Sequence, residues 1–199
     1  PEEAQKLRDW MAGLLPRNWD DGLYTIDFGG KMVTTRQASG KALNAIARNL
    51  PFLIGGSADL TDSNQTWIWD AEDRYIHFGV REHAMGAITN GIARHGGTLA
   101  FCGTFLVFSD YMRGSIRLAS VMGTHVIFIL SHDSIGVGED GPTHQPIEHV
   151  MSLRLIPHLT TLRPADAYEM VGAWKVAVTR KSPVVLCLTR QAVPVLTPD

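Results

Sequence analysis

Residues 98–133, TLAFCGTFLVFSDYMRGSIRLASVMGTHVIFILSHD, hold an apolar run at 98–101, a helix-length segment at 108–122 and a second apolar run at 125–130. Both runs are continuous and not alternating, the pattern of strands buried on two faces. The segment between them carries apolar residues at three- and four-residue spacing, the stripe of a helix lying on a sheet. Strand, helix and strand in this order predict a parallel pair with a crossover helix. The same alternation spreads outward, with apolar runs at 52–54, 75–78, 159–162 and 184–188 and helical segments at 37–49, 81–95, 145–153 and 165–179. The pattern predicts an α/β fold, a three-layer sandwich in which a mostly parallel central sheet of about six strands carries helices on both faces. Residues 1–30 read as an arm or linker from a preceding domain: a short amphipathic piece around Leu7, Trp10, Met11 and Leu14, then Pro16 and the polar Asn18-Trp19-Asp20-Asp21-Gly22. From 31 to 199 the chain shows no internal repeat and reads as one domain.

Composition narrows the function classes. The chain has 199 residues, 45% hydrophobic and 19% charged, which excludes disorder and collagen-like repeats. Eighteen Lys and Arg against 20 Asp and Glu leave a net charge of −2, so no overall field attracts nucleic acid or an anionic membrane. Cys102 and Cys187 stand far apart among apolar neighbours, as small buried residues of a reduced, cytoplasmic protein do. The apolar stretches 126–130 and 184–188 fall far short of the roughly 18 residues a membrane helix needs, and the acidic Pro1-Glu2-Glu3 is no signal peptide. The expectation is no membrane and no nucleic acid partner.

Polar residues gather where the apolar runs end. Gly55-Gly56-Ser57-Ala58-Asp59 follows one run, Gly79-Val80-Arg81-Glu82-His83 the next, then Gly103-Thr104-Phe105, Ser131-His132-Asp133 and Thr189-Arg190-Gln191. Ligands of open parallel sheets bind outside the carboxyl edge of the strands, so these five segments converge on one crevice. Within them several residue types admit two readings. Glu82 either complements the amide dipole of a helix first turn or is a buried carboxyl that shares a proton with a heterocycle nitrogen. Phe105, Phe108 and Tyr111, three residues apart, line one side of a helix or of the turn leading into it, as core or as a flat aromatic pocket. Arg36 and Arg190 are surface charges or anion clamps for a phosphorylated substrate.

Gly136-Val137-Gly138-Glu139-Asp140-Gly141 has the spacing of a dinucleotide fingerprint but lacks its context. Five residues separate it from the preceding run, Pro142 and Pro146 follow, and Glu139 and Asp140 would repel phosphate. A substrate-facing loop with His132, Asp140 and His144 fits better. Eight histidines raise the question of a metal, yet His144 and His149 lack a helical ligand offset and no thiol is near, so no metal ligand is assigned. His77 and His125, alone in apolar runs, are left unassigned.

Taken together these segments resemble the transketolase family, specifically its middle domain, which binds the pyrimidine half of thiamine diphosphate. The resemblance runs from about Val33 to Pro194 through GGSADLT at 55–61, RYI at 74–76, GVREHAMG at 79–86, GTF at 103–105, RPAD at 163–166 and Arg190-Gln191, with GVGEDGPTHQPIE at 136–148 its most specific part. It implies the thiamine diphosphate-binding fold and ketol transfer: a two-carbon unit passes from a ketose phosphate to an aldose phosphate. It also implies residue assignments. Glu82 matches the glutamate that hydrogen-bonds the aminopyrimidine, promotes its imino tautomer and so has a catalytic role, while Phe105, Phe108 and Tyr111 match the aromatic pocket around that ring. Asp59 matches an acidic residue close to the cofactor. His132 and His144 match channel histidines that bind sugar oxygens and help to move protons, and Asp140 matches the reader of a donor hydroxyl. Arg36, Ser63 and Arg190 match the phosphate grip at the channel mouth.

The same resemblance implies that thiamine diphosphate and Mg2+ are held jointly with a diphosphate-binding domain, which carries Gly-Asp-Gly and, about 25 to 30 residues later, an Asn, a donor set suited to that hard ion. That motif is absent. Asp21-Gly22 with Asn49 mimics the spacing, but Asp20 replaces the leading Gly and no strand precedes it. The diphosphate-binding and C-terminal domains are therefore expected outside this chain, residues 31–199 being the pyrimidine-binding domain. Expected partners are sugar phosphates and the diphosphate-binding domain or chain, in a full enzyme that is a homodimer; the isolated chain is expected to be inactive. Dihydroxyacetone synthase, another thiamine-dependent transferase, or a non-catalytic dimerisation domain of the same fold are the alternatives.

Overall fold

The computed structural model describes residues 2–196; the expected domain end at 199 lies outside the described residues. Six strands form one sheet, β2 (Leu53–Ser57), β3 (Tyr75–His77), β4 (Leu99–Phe105), β5 (Val126–Ser131), β6 (Thr160–Leu162) and β7 (Val184–Leu188). Their spatial order is β3-β2-β4-β5-β7-β6, and every neighbouring pair is parallel. A separate antiparallel pair joins β1 (Met32–Thr34) to β8 (Ala192–Pro194).

Period-two alternation divides each central strand between two cores. Ile127 and Ile129 of β5 and Val184, Leu186 and Leu188 of β7 enter one core with α2 (Thr35–Asn49) and α7 (Ala167–Thr179). Val126, Phe128 and Leu130 of β5 and Val185 and Cys187 of β7 enter the other, with α4 (Glu82–His95), α5 (Ser109–Met122) and α6 (His149–Arg154). The sheet therefore lies between two helical layers, as the alternation of runs predicts. Trp174 of α7 is fully buried and donates from Nε1 to Ser39 Oγ of α2 at 2.9 Å, tying the two helices of the first layer together. In the second layer α4 and α5 approach closely because Gly86 faces Ser115, leaving no room for a side chain.

The arm packs against the first layer. Its helix α1 (Glu2–Met11) buries none of its residues, but Trp10 meets Phe52 at a ring distance of 5.3 Å, and Leu23 and Phe28 are buried in the core.

Three local expectations change. Gly103-Thr104-Phe105 does not break away from β4 but forms its last three residues, because β4 pairs with β5 as far as Phe105 and Ser131. Gly55-Gly56-Ser57 likewise belongs to β2, with Gly55 against the Phe101 backbone and Gly56 against that of Ile76. The helix expected at 145–153 begins only at His149, since Pro146 has no amide to donate and holds its predecessor out of helical geometry.

Candidate active site

The carboxyl ends of β2, β4, β5 and β7 lie side by side at one edge of the sheet. Beyond β5 the chain turns sharply at His132, whose backbone is left-handed with φ 59°. Such a conformation is costly for a residue with a Cβ, by about 1 kcal/mol, and persists only where neighbours fix it. They do so on both sides. Asp133 N donates to Leu188 O at 3.1 Å, and the Asp133 carboxylate accepts from Arg163 Nε at 2.6 Å. The imidazole itself lies on Phe105, ring centres 3.7 Å apart and planes 28° apart, which leaves no space for another ring between them.

From Phe105 the aromatic stripe continues through a 3-10 turn, Leu106–Phe108, into α5. Phe105 and Phe108 are nearly parallel at 5.6 Å, Phe108 and Tyr111 lie 6.0 Å apart, and Tyr111 is exposed. His144 comes from a second 3-10 turn, Pro142–His144, and sets its edge toward both Phe108 at 5.3 Å and Phe105 at 5.9 Å. The loop that carries it is pinned by Gln145 Nε2 donating to Ile135 O at 3.0 Å and Gly136 N donating to Ser134 Oγ at 3.1 Å. Gly136–Gly141 thus leads through short turns and not into a helix, which removes the amide array a dinucleotide would need.

The charged members come from α2, the loop and the end of β7. Thr34 and Gln37 form a capping box at the start of α2, placing Arg36 in its first turn. Thr35 and Thr189 clamp that turn to the end of β7: Thr35 N donates to Thr189 Oγ1 at 2.9 Å, and Thr189 N to Thr35 Oγ1 at 2.7 Å. Arg36 and Arg190 consequently sit near each other, and Arg36 Nη1 donates to Ser63 O at 2.8 Å. Burial, and then the Arg190 charge, lower the Arg36 pKa, with Asp140 opposing. Burial also pushes His132 down to about 4; the Arg36, Arg190 and His144 charges add to the fall and Asp140 resists it. Gly138, at φ 83°, lies against the Arg190 guanidinium, where a Cβ would be 3.5 Å away.

His132, His144, Phe105, Phe108, Arg36, Asp140, Arg190 and Ser63 are thus brought to one edge by contact or by charge. Glu82 is buried, 8% exposed, in the first turn of α4, and its carboxylate has no hydrogen bond or ion pair among the described residues. Asp59 follows β2 with a left-handed backbone, φ 62°, and is exposed.

Sequence reasoning missed the residues beneath the site. Asn64, from the short α3 (Thr61–Asn64), is fully buried between the ends of β2, β4 and β5. Its amide lies 3.2 Å from both Thr104 N and Thr104 O, 3.0 Å from Ser57 Oγ and 2.5 Å from Ser131 Oγ, and the orientation assigned from this network has Oδ1 accepting from Thr104 N and Ser57 Oγ and Nδ2 donating to Thr104 O and Ser131 Oγ. Ser131 Oγ in turn lies 2.9 Å from His132 Nδ1. The available signal was a Ser or Thr closing each of three apolar runs.

His144 and His149 do not share a site. His149, buried, faces Asp110 at 3.1 Å, with Glu148 beside it at 3.8 Å. Asn49 Nδ2 donates to the Asp21 carbonyl at 3.1 Å, so the pair that mimics the magnesium motif is joined through an amide nitrogen. Two clefts, of about 500 and 570 Å3, open elsewhere, one lined by Lys41, Trp67 and Trp69 and the other by Trp10, Leu14 and Pro51. No described helix is long and apolar enough to cross a membrane.

The family model for the transketolase pyrimidine-binding domain matches residues 31–195. The chain belongs to the transketolase family. It covers that family's pyrimidine-binding domain region. The transketolase of Geobacillus stearothermophilus is 52% identical over 98% of this chain and 30% of its own length. A chloroplastic transketolase of Arabidopsis thaliana is 48% identical over 98% of the chain and 28% of its own. The structure of a Leishmania mexicana transketolase superposes with a TM-score of 0.91 at 43% identity, covering all of this chain and 31% of that one. The chain therefore spans about a third of these transketolases. A split-gene transketolase, described as an inactive beta4 tetramer, superposes at a TM-score of 0.71 and 29% identity over 84% of this chain and 55% of that one.

Proposed function

We propose that this chain is the pyrimidine-side half of a transketolase active site, residues 31–199 forming one domain that acts in the cytoplasm on sugar phosphates. The observation that carries the reading is the meeting of Phe105, Phe108, His132 and His144 with the Arg36, Asp140 and Arg190 charges at one sheet edge. The residues present fit a flat, protonatable heterocycle: a nearly parallel Phe pair supplies apolar area, and the carboxylate of Glu82, a residue only 8% exposed, has no other partner among the described residues.

Glu82 would hold a proton against a ring nitrogen of the pyrimidine, with Phe105, Phe108 and Tyr111 around that ring and Asp59 near it. Bound thiamine diphosphate supplies the carbon nucleophile and the electron sink for two-carbon ketol transfer. His132, neutral at working pH, and His144 bind sugar oxygens and move protons, while Asp140 accepts from a donor hydroxyl. Arg36 and Arg190, in the field of the α2 N-terminus and beside Ser63, hold the substrate phosphate at the mouth. The diphosphate end and Mg2+ belong to a diphosphate-binding domain of the same or another chain, in an enzyme that is a homodimer. The likeness to a chain of the split-gene transketolase supports a half-site that works only with its complement.

Ketol transfer from xylulose 5-phosphate to ribose 5-phosphate, with thiamine diphosphate and magnesium, tests this. Activity is expected from this chain mixed with a separately made diphosphate-binding domain and not from the chain alone, and Glu82→Ala is expected to abolish it. A fully active Glu82→Ala mixture would remove Glu82 from the reaction, and transfer to formaldehyde but not to aldose phosphates would point to dihydroxyacetone synthase.

A further inference from the structure

We propose that the Thr104 backbone sets the tautomer of His132 through Asn64 and Ser131, so that the imidazole carries its hydrogen on Nε2. The inference deepens the proposed function, because it defines which ring nitrogen is left to donate to a sugar oxygen.

The Thr104 peptide is a group that cannot be reversed. A peptide N–H always donates and a peptide C=O always accepts. Thr104 presents both to the Asn64 amide, each at 3.2 Å, so Oδ1 must face the N–H and Nδ2 the carbonyl. The opposite orientation would set donor against donor and acceptor against acceptor inside a fully buried site, leaving each of those groups unmet. With the amide fixed, Nδ2 has one remaining hydrogen, and the atom 2.5 Å away is Ser131 Oγ. Ser131 therefore accepts from Asn64. Its own single hydrogen then has one acceptor left among the described partners of Ser131 Oγ, His132 Nδ1 at 2.9 Å, and in donating to it makes Nδ1 the unprotonated nitrogen. Nε2 then bears the hydrogen of the neutral ring. Were Asn64 reversed, Ser131 would donate to it and accept from Nδ1–H, giving the other tautomer. Burial and the neighbouring arginines keep the ring neutral at ordinary pH, so a tautomer is defined there. Asn64 and Ser131 act through His132 and are positioning residues.

The test is a two-bond 1H–15N correlation spectrum of the full chain labelled at histidine nitrogens, recorded at about pH 7 without cofactor, substrate or partner. The expected His132 signals are an unprotonated Nδ1 and a protonated Nε2. Ser131→Ala is expected to raise the Nδ1-protonated share from none to a resolvable fraction, and Ser131→Thr, which keeps the hydroxyl, to restore the parent pattern. Asn64→Asp, which puts an acceptor where the amide donated, is expected to reverse the tautomer. A protonated Nδ1 in the parent chain would overturn the proposal, as would a Ser131→Ala spectrum identical to the parent. Should Asn64→Asp not fold, the two Ser131 variants decide the matter alone. No turnover is read, so a failure of ketol transfer and a failure of this relay give separate results.

Discussion

Replacing His132 with Asn should remove a measurable part of the chain's acid sensitivity. The imidazole titrates at about 4 when folded, against an ordinary 6.5. Because the folded value is the lower one, the unfolded chain takes up the proton first. Stability from this group is intact above about pH 6.5 and is lost as pH falls toward 4. One pKa unit corresponds to about 1.4 kcal/mol, so the displacement is worth about 3 kcal/mol in full and about 2.5 kcal/mol by pH 4.5. The site is open to solvent on the side of the exposed Asp140 and the half-buried His144, which softens the desolvation behind the shift and brings the expected figure to roughly 1–2 kcal/mol. Asn suits the test because its short side chain tolerates the left-handed backbone, φ 59° at this position. Urea denaturation of both chains at about pH 7 and about pH 4.5 gives four stabilities. Both chains share every other titratable group, so the difference between the two pH losses reports on His132. The variant is expected to lose roughly 1–2 kcal/mol less than the parent on acidification. Equal losses would refute a buried, neutral imidazole on Phe105.

Three further outcomes follow from packing and burial. Gly86→Ala, although it adds a better helix former, should lower stability by about 1–3 kcal/mol in chemical denaturation, since its Cβ would strike Ser115 and part α4 from α5. Both thiols are fully buried, with Cys102 and Cys187 pushed up to about 12 chiefly by desolvation. A chromogenic disulfide reagent at about pH 8 should therefore label neither in the native chain and both in urea. Arg163→Ala leaves the buried Asp133 carboxylate without its 2.6 Å partner, and a loss of about 2 kcal/mol in urea titrations is expected; an unchanged midpoint would show that the turn at His132 does not lean on this pair.

The layers were legible because hydrophobic period carries them. Continuous runs such as 126–130 can be buried on both faces only between two helical layers, and that is how Ile127 and Phe128 come to serve opposite cores. Strand ends were harder to place. Phe105 read as the start of a turn because Gly103 reads locally as a break, whereas pairing with β5 carries the strand past it. The outer shell of the candidate site was visible in residue types: aromatic, imidazole and guanidinium groups at strand ends announce themselves. Its inner supports were not. Asn64 and Ser131 are 67 residues apart and Thr35 and Thr189 are 154 apart, and nothing in a small polar residue's own neighbourhood says which distant partner the register will deliver. The burial of Glu82, one of two readings left open by its neighbours, emerged only with the packing of α4 against the sheet.

The clamp between Thr35 and Thr189 has a consequence for the order in which the molecule comes into being. Arg36 belongs to the first long helix and Arg190 follows the last strand of the large sheet, and β1 and β8 close the same seam beside them. As a ribosome extends the chain, the aromatic floor and the loop through His144 can form before Thr189 has emerged, while the His132 turn waits for Leu188 at the end of β7. The two guanidinium groups cannot be drawn together until then, because loop closure over such a separation must await its far end. The candidate anion grip is thus the final feature to mature, and a nascent chain halted before residue 189 would hold a nearly finished sheet with no mouth.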